Sequence, residues 1–252
     1  MHRPSSVVFI NGLIGSLDYP ALHAILAPHP VRVPELPGYG SRKDVSPDSI
    51  NILAQISYLH RYLKEHAPDE RVHLVGHSVG GVIAQLYACH YPGTVASVIS
   101  VEGNFSLKDA FWSTSVARLS ATEVQTLMAG FRADPAGWLR RAGIAPTPRH
   151  LETATAWLAY QPASTLQAMA RSVVAITGES PYADALRALF ARTPVHLLAG
   201  ERSRDGWDVP AWAMSLAASS TVMPGTGHLM MLEQPEPFAR AIRQLLDAGH
   251  GC

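Results

Sequence analysis

The chain has 252 residues, of which 47% are apolar and 16% charged, a composition that excludes a disordered chain and is long enough to bury a full core. Lys plus Arg and Asp plus Glu each total 20, so no basic excess awaits a phosphate backbone and a nucleic-acid partner is not expected. Cys89 and Cys252 cannot build a disulfide framework, and the 12 histidines are scattered without metal-ligand spacing, so neither a metal nor another cofactor is expected. No apolar run approaches the roughly 18 residues of a membrane helix. The apolar run near the N-terminus, Val7 to Ile10, is shorter than the roughly 7–15 residues of a secretory signal. A cytoplasmic protein with no membrane partner is the expectation.

Strand and helix signals alternate along the first hundred residues. Residues 6–10 form a short apolar run ending at Asn11-Gly12. Residues 17–26 have helical spacing. A short strand at 31–33 runs into Pro34-Glu35-Leu36-Pro37-Gly38. Ile52, Ile56, Leu59 and Leu63 mark one face of a helix over 50–66. A strand at 71–75 is followed by a helix at 82–90 that Tyr91-Pro92-Gly93 stops, and then by a strand at 95–101. Strands separated by helices imply βαβ units and a parallel sheet.

From about residue 105 to 175 the strand signal disappears and helices are expected at 120–132, 136–142 and 153–160. Strand signals return at 195–199 and 220–223, and a helix at 237–248 closes the chain. The organisation is therefore an α/β core, 1–104 and 176–252, split by a helical insertion at 105–175.

Gly76-His77-Ser78-Val79-Gly80-Gly81 follows a strand and opens a helix. A Gly-x-Ser-x-Gly turn in that context holds its serine in an unfavourable backbone region, so the residues two away on either side must lack a Cβ. Gly76 and Gly80 meet that need. The backbone N–H of Val79, at the start of the helix, then points at the place where an oxyanion would develop.

With this motif the chain resembles the α/β-hydrolases, and three further pieces match in the family's order. Asn11-Gly12-Leu13-Ile14-Gly15-Ser16 resembles the oxyanion loop, with Asn11 where the family usually has His. Pro34-Glu35-Leu36-Pro37-Gly38-Tyr39-Gly40-Ser41 resembles the family's Asp-Leu-Pro-Gly-x-Gly-x-Ser loop. Gly225-Thr226-Gly227-His228, followed by Glu233-Gln234-Pro235 and Phe238, resembles the catalytic-histidine loop and the helix behind it. The resemblance implies an α/β-hydrolase fold of about six parallel strands flanked by helices, with residues 105–175 as a helical cap. Only six residues precede Val7, so the family's antiparallel N-terminal hairpin is expected to be missing.

The implied chemistry is a serine nucleophile, Ser78, with His228 as base and the amides of Val79 and Leu13 as oxyanion donors. The acid is where the sequence departs from the family. Its usual aspartate lies three residues past a glycine after the penultimate strand; here that glycine is Gly200 and the third residue is Ser203, which carries no charge. Asp205 and Asp208 follow in the same loop and are alternatives. Glu102 is preferred: it ends the strand at 95–101, and adjacent parallel strands lie about 4.8 Å apart, which puts its carboxylate beside the elbow. Haloalkane dehalogenases and fungal lactonases of this superfamily resemble the chain in that placement.

Phe111, Trp112, Trp138, Trp157 and Met230 are expected to line an apolar substrate pocket. The implied activity is a serine hydrolase for a small-to-medium apolar ester, lactone or thioester. A C–C hydrolase or lyase, or a non-catalytic receptor for a small ligand, are the alternatives, because the fold does not choose among them.

Overall fold

A computed structural model describes residues 4–248. Six strands, β1 (Val7–Ile10), β2 (Val31–Arg32), β3 (Val72–His77), β4 (Val95–Val101), β5 (Val195–Gly200) and β6 (Ser219–Met223), form one sheet in the order β2-β1-β3-β4-β5-β6. All neighbouring pairs run parallel. β1, β3 and β5 are buried at every position, as strands covered on both faces must be, and they read as continuous apolar runs. β6 alternates between half-buried and exposed positions along most of its length, as an edge strand does.

Strand order positions the site. From β1 the chain moves outward to β2, then crosses back to β3 on the other side of β1. Connections from β1 and β3 therefore leave toward opposite faces of the sheet, and a crevice opens at their carboxyl ends. Right-handed crossovers put α1 (Pro20–Leu26) on one face, where α12 (Pro235–Ala248) packs against it. They put α2 (Ile52–His66), α3 (Val79–His90) and α9 (Ser180–Phe190) on the other. Asn51 caps α2 by accepting a hydrogen bond from Ala54 N at 2.9 Å. On α12 the buried Phe238, Ala239, Ile242, Leu245 and Leu246 recur at helical spacing on its inner face.

Five helices lie between β4 and α9: α4 (Phe111–Arg118), α5 (Ala121–Ala133), α6 (Pro135–Arg141), α7 (Pro148–Ala159) and α8 (Ala163–Thr177). Ser120 and Glu123 close a capping box at the start of α5. α4 and α5 pack on α8, α6 packs on α7, and α8 reaches down to α2 and α3. The boundary expected at 175/176 falls inside the last turn of α8. The short helices α10 (Ala211–Leu216) and α11 (Met230–Glu233) flank β6 and its following loop.

α3 starts three residues earlier than its apolar pattern suggests. Gly80 and Gly81 are helical because the helix must touch other backbone there. A Cβ on Gly80 would lie 2.2 Å from the Ile10 carbonyl oxygen, and one on Gly76 would lie 2.3 Å from the Gly80 carbonyl oxygen. Among the described residues no helix is long and apolar enough to cross a membrane.

Candidate active site

Ser78 sits between β3 and α3 with φ 54° and ψ −122°, a region that costs a non-glycine residue strain. Its surroundings enforce the conformation. The Ser78 N–H donates to the Val101 carbonyl at 2.9 Å, and Gly81 N donates to the Ser78 carbonyl at 2.8 Å. Ser78 is half-buried at the switch-point crevice, and a Cβ on Gly12 would come within 3.3 Å of the Ser78 Cβ, so the loop after β1 presses against the elbow. Asn11, buried at the end of β1, donates from Nδ2 to the Gly12 carbonyl at 2.9 Å and braces that loop.

Glu102 continues past β4 and is also in the left-handed region, φ 45°. Its N–H donates to the Leu198 carbonyl at 3.0 Å, which pins the strained residue to β5. The side chain is only 4% exposed, and both oxygens are used. Oε1 accepts from Gly200 N at 2.8 Å and from the Ser203 hydroxyl at 2.6 Å. Oε2 accepts from His228 Nδ1 at 2.5 Å. Burial alone would raise the carboxyl, but the hydrogen bonds from His228, Ser203 and Gly200 and the His228 charge outweigh it and hold Glu102 below its ordinary value. An ionised Glu102 fixes the His228 proton on Nδ1 and leaves the Nε2 lone pair available as a base.

His228 is held by a dense loop after β6. Gly225 turns the chain at φ 67°, and Thr226 Oγ1 donates back to the Met223 carbonyl at 3.0 Å. Gly227 N donates to Glu233 Oε2 at 3.0 Å, and Arg202 bridges both Glu233 oxygens, at 2.8 and 3.0 Å. The same guanidinium donates to the carbonyls of Gly225 and of Gly143, just past α6. His77, beside the nucleophile, donates from Nε2 to the His228 carbonyl at 2.9 Å, and the two rings lie 4.6 Å apart. Burial, and secondarily the nearby His228, push the His77 ring down to about 3, so it is a neutral brace.

Ser78, His228, Glu102 and Leu13 line one cavity of about 590 Å³. Helices α4–α6 supply its outer wall with Phe111, Trp112, Phe131 and Trp138, and Trp207 adds a further face. Trp157 and Met230 are not on the wall. Trp157 is buried against the loop after β1, where a Cβ on Gly15 would meet its ring at 2.3 Å, and Met230 is fully buried at the start of α11. In both cases a large apolar side chain near a catalytic loop went inward to fill the core.

Asp205 is solvated beside Arg204, and Asp208 accepts from the Ser106 hydroxyl at 2.7 Å with Lys108 at 3.8 Å. Neither bonds to His228. Sequence reading missed Ser203 as a partner of Glu102, and the cavity-lining Asp109. Asp109 accepts from the amides of Phe105 and Ser106 at 2.8 and 3.1 Å, and burial lifts its carboxyl to about 6 against those bonds. The sole sequence signal for Ser203 was its register three residues past Gly200. Among the described residues no group of three or more His, Cys, Asp or Glu is arranged to hold a metal ion.

Comparison with known proteins gives this geometry a context. The alpha/beta hydrolase family matches residues 7–241. The chain is 26% identical over 254 aligned positions to 2-succinyl-6-hydroxy-2,4-cyclohexadiene-1-carboxylate synthase of Enterobacter sp., covering 95% of this chain and 91% of that protein. It is 32% identical to the provisionally named carbamate hydrolase RutD of Escherichia coli O1:K1 over 99 residues, which span 38% of this chain and only 37% of that relative. Among solved structures, MenH from S. aureus superposes with a TM-score of 0.76 at 19% identity, covering 100% of this chain and 96% of that one. A thermophilic esterase from Thermogutta terrifontis gives 0.69 at 21% identity, covering 98% and 92%.

Proposed function

The chain belongs to the alpha/beta hydrolase family, and from that premise we propose that it is a serine hydrolase acting on a carboxylic ester, lactone or thioester with an apolar body. One observation carries the reading: Glu102 Oε2 bonds His228 Nδ1 at 2.5 Å, and both residues open on the cavity that holds the strained Ser78. In this mechanism the Ser78 hydroxyl attacks the substrate carbonyl while His228 Nε2 takes its proton. Glu102 stabilises the imidazolium that forms. The amides of Val79, at the first position of α3, and Leu13 receive the developing oxyanion. His228 protonates the leaving group, the acyl group stays on Ser78, and His228 then activates water to release it. Helices α4–α8 act as a cap whose aromatic wall excludes water and receives the apolar part of the substrate.

The test is Ser78→Ala against wild type, with p-nitrophenyl esters and a fluorophosphonate. The variant is expected to fold normally and lose roughly 10⁴–10⁶ in kcat, and wild type is expected to show an ester burst with an acyl adduct on Ser78 by intact mass. More than a tenth of wild-type kcat in Ser78→Ala would remove Ser78 from the mechanism. A second reading, a lyase in which His228 acts directly on substrate, draws on the 95% coverage by a relative named as a synthase. It separates cleanly: a lyase labels with fluorophosphonate but gives no ester burst.

A further inference from the structure

Most of the outer wall of the cavity is aromatic, and at its rim the solvent-exposed Arg141 closes α6. Its guanidinium carbon lies 5.4 Å from the centre of the Phe131 ring, and both residues line the cavity. Among the described residues the Arg141 guanidinium has no ion-pair or hydrogen-bond partner; its one side-chain contact of note is the Phe131 ring. Its neighbour Arg140, by contrast, faces Asp134 at 3.9 Å. The remaining cavity-lining charges are already committed. Arg202 is neutralised by Glu233 and donates to two carbonyls. Glu102 is held by His228, Ser203 and Gly200. Asp109 is held by the loop amides of Phe105 and Ser106.

This part of the rim is also fixed relative to the reacting groups. Ala142, the next residue, lines the same cavity, and its carbonyl oxygen would lie 3.8 Å from a Cβ on Gly227, which precedes His228. Arg202 ties Gly143 to the histidine loop. A helix C-terminus favours any cation, which explains a basic residue here but not one laid over a ring on the cavity wall. A planar guanidinium that rests on the Phe131 ring at the rim of the cavity, with no carboxylate or carbonyl of the protein on its fork, is a receptor for a planar anion, and a carboxylate matches that fork with two parallel hydrogen bonds.

We propose that Arg141 is an anion-recognition residue and that the substrate is an apolar acyl compound bearing a free carboxylate away from the scissile bond. This deepens the reading of Ser78 as nucleophile and rests on it for the reaction, though not for binding. The carboxylate takes no part in bond making. It orients the apolar body along Phe131 and Trp138 so that the carbonyl reaches Ser78.

Two ester pairs of matched shape test it: p-nitrophenyl hydrogen adipate with p-nitrophenyl hexanoate, and 4-carboxyphenyl hexanoate with phenyl hexanoate. In at least one pair the charged ester is expected to be favoured about tenfold or more in kcat/KM, through KM. Arg141→Gln should abolish that preference while changing neutral-ester turnover less than threefold, and Arg141→Lys should restore part of it. A binding arm separates this proposal from the serine mechanism. Fluorescence of Trp112, Trp138 and Trp207 in Ser78→Ala is titrated with 4-phenylbutyrate and with 4-phenylbutanamide, with and without Arg141→Gln. Tighter acid than amide binding, lost with Arg141→Gln, supports the subsite even if no ester turns over. Equal binding of acid and amide, or a preference that survives Arg141→Gln, overturns it.

Discussion

Replacing Glu102 by glutamine tests the placement of the acid at the level of a single proton. In the native site Oε1 accepts two hydrogen bonds, from Gly200 N and the Ser203 hydroxyl, while Oε2 accepts one from His228 Nδ1. Glutamine keeps the shape but turns one end into a donor. With its oxygen toward Gly200, its NH₂ meets Nδ1, and His228 must carry its proton on Nε2, where it cannot take one from Ser78. With the amide reversed, NH₂ opposes the Gly200 N–H. The Ser203 hydroxyl can rotate to accept, but the backbone amide cannot, and a buried donor left unpaired costs about 1–3 kcal/mol. The first orientation therefore dominates by roughly 5- to 150-fold at that cost. Loss of the charge that faces the imidazolium adds to this. The expected fall in kcat is about 10³–10⁴, or about 4–5.5 kcal/mol. Steady-state hydrolysis of one p-nitrophenyl ester measures it, with circular dichroism to establish folding. Asp205→Asn and Asp208→Asn serve alongside and should each cost less than about tenfold, as solvated loop residues do. If Glu102→Gln retains more than a tenth of wild-type kcat, or Asp208→Asn proves the crippled variant, the reasoning from the Glu102–His228 contact is refuted.

Three further outcomes are expected. Ser203 stands where an aspartate would serve, and its hydroxyl already touches Glu102 at 2.6 Å, so adding Ser203→Asp to Glu102→Gln should recover at least about tenfold of the lost kcat, while Ser203→Asp alone should lower activity through like-charge contact; no recovery in the double variant would argue that this station cannot reach His228. Gly80→Ala forces a Cβ to within 2.2 Å of the Ile10 carbonyl oxygen, which backbone cannot cheaply yield, so urea unfolding should show a loss of about 1–3 kcal/mol or more, and a neutral result would contradict the close approach of α3 to β1. His77 is buried and neutral, pushed down to about 3, whereas an unfolded histidine titrates near about 6.5. Its folded-state value is depressed, so the stability it contributes is fully present above about pH 6.5 and is lost as pH falls from there toward about 3, amounting to about 2 kcal/mol by pH 5. Urea midpoints at about pH 7.5 and about pH 5 measure this, and His77→Gln should flatten the difference; an unchanged slope in that variant would assign the acid sensitivity to other groups.

The α/β core was legible in the residues because its signals are local. β1 and β3 read as apolar runs closed by glycine, and the elbow carries its own requirement for Gly76 and Gly80 on either side of Ser78. His228 was legible for a similar reason, since Gly225 and Gly227 mark a turn after the last strand signal. Even the register of Glu102 followed from where β4 ends beside β3. What the residues could not carry was the direction in which a side chain points across the fold. Trp157 and Met230 look like pocket residues in sequence, yet both face the core, whereas Arg141 and Phe131 look like ordinary surface and helix residues and face the cavity. Ser203 and Glu102 are 101 positions apart and meet only because β4 and β5 are adjacent in the sheet. Backbone turns are dictated by sterics within a few residues, so the sequence determines them directly. Partners, ionisation and a guanidinium left without an anion depend on which groups distant segments bring or fail to bring, and only the packed structure decides that.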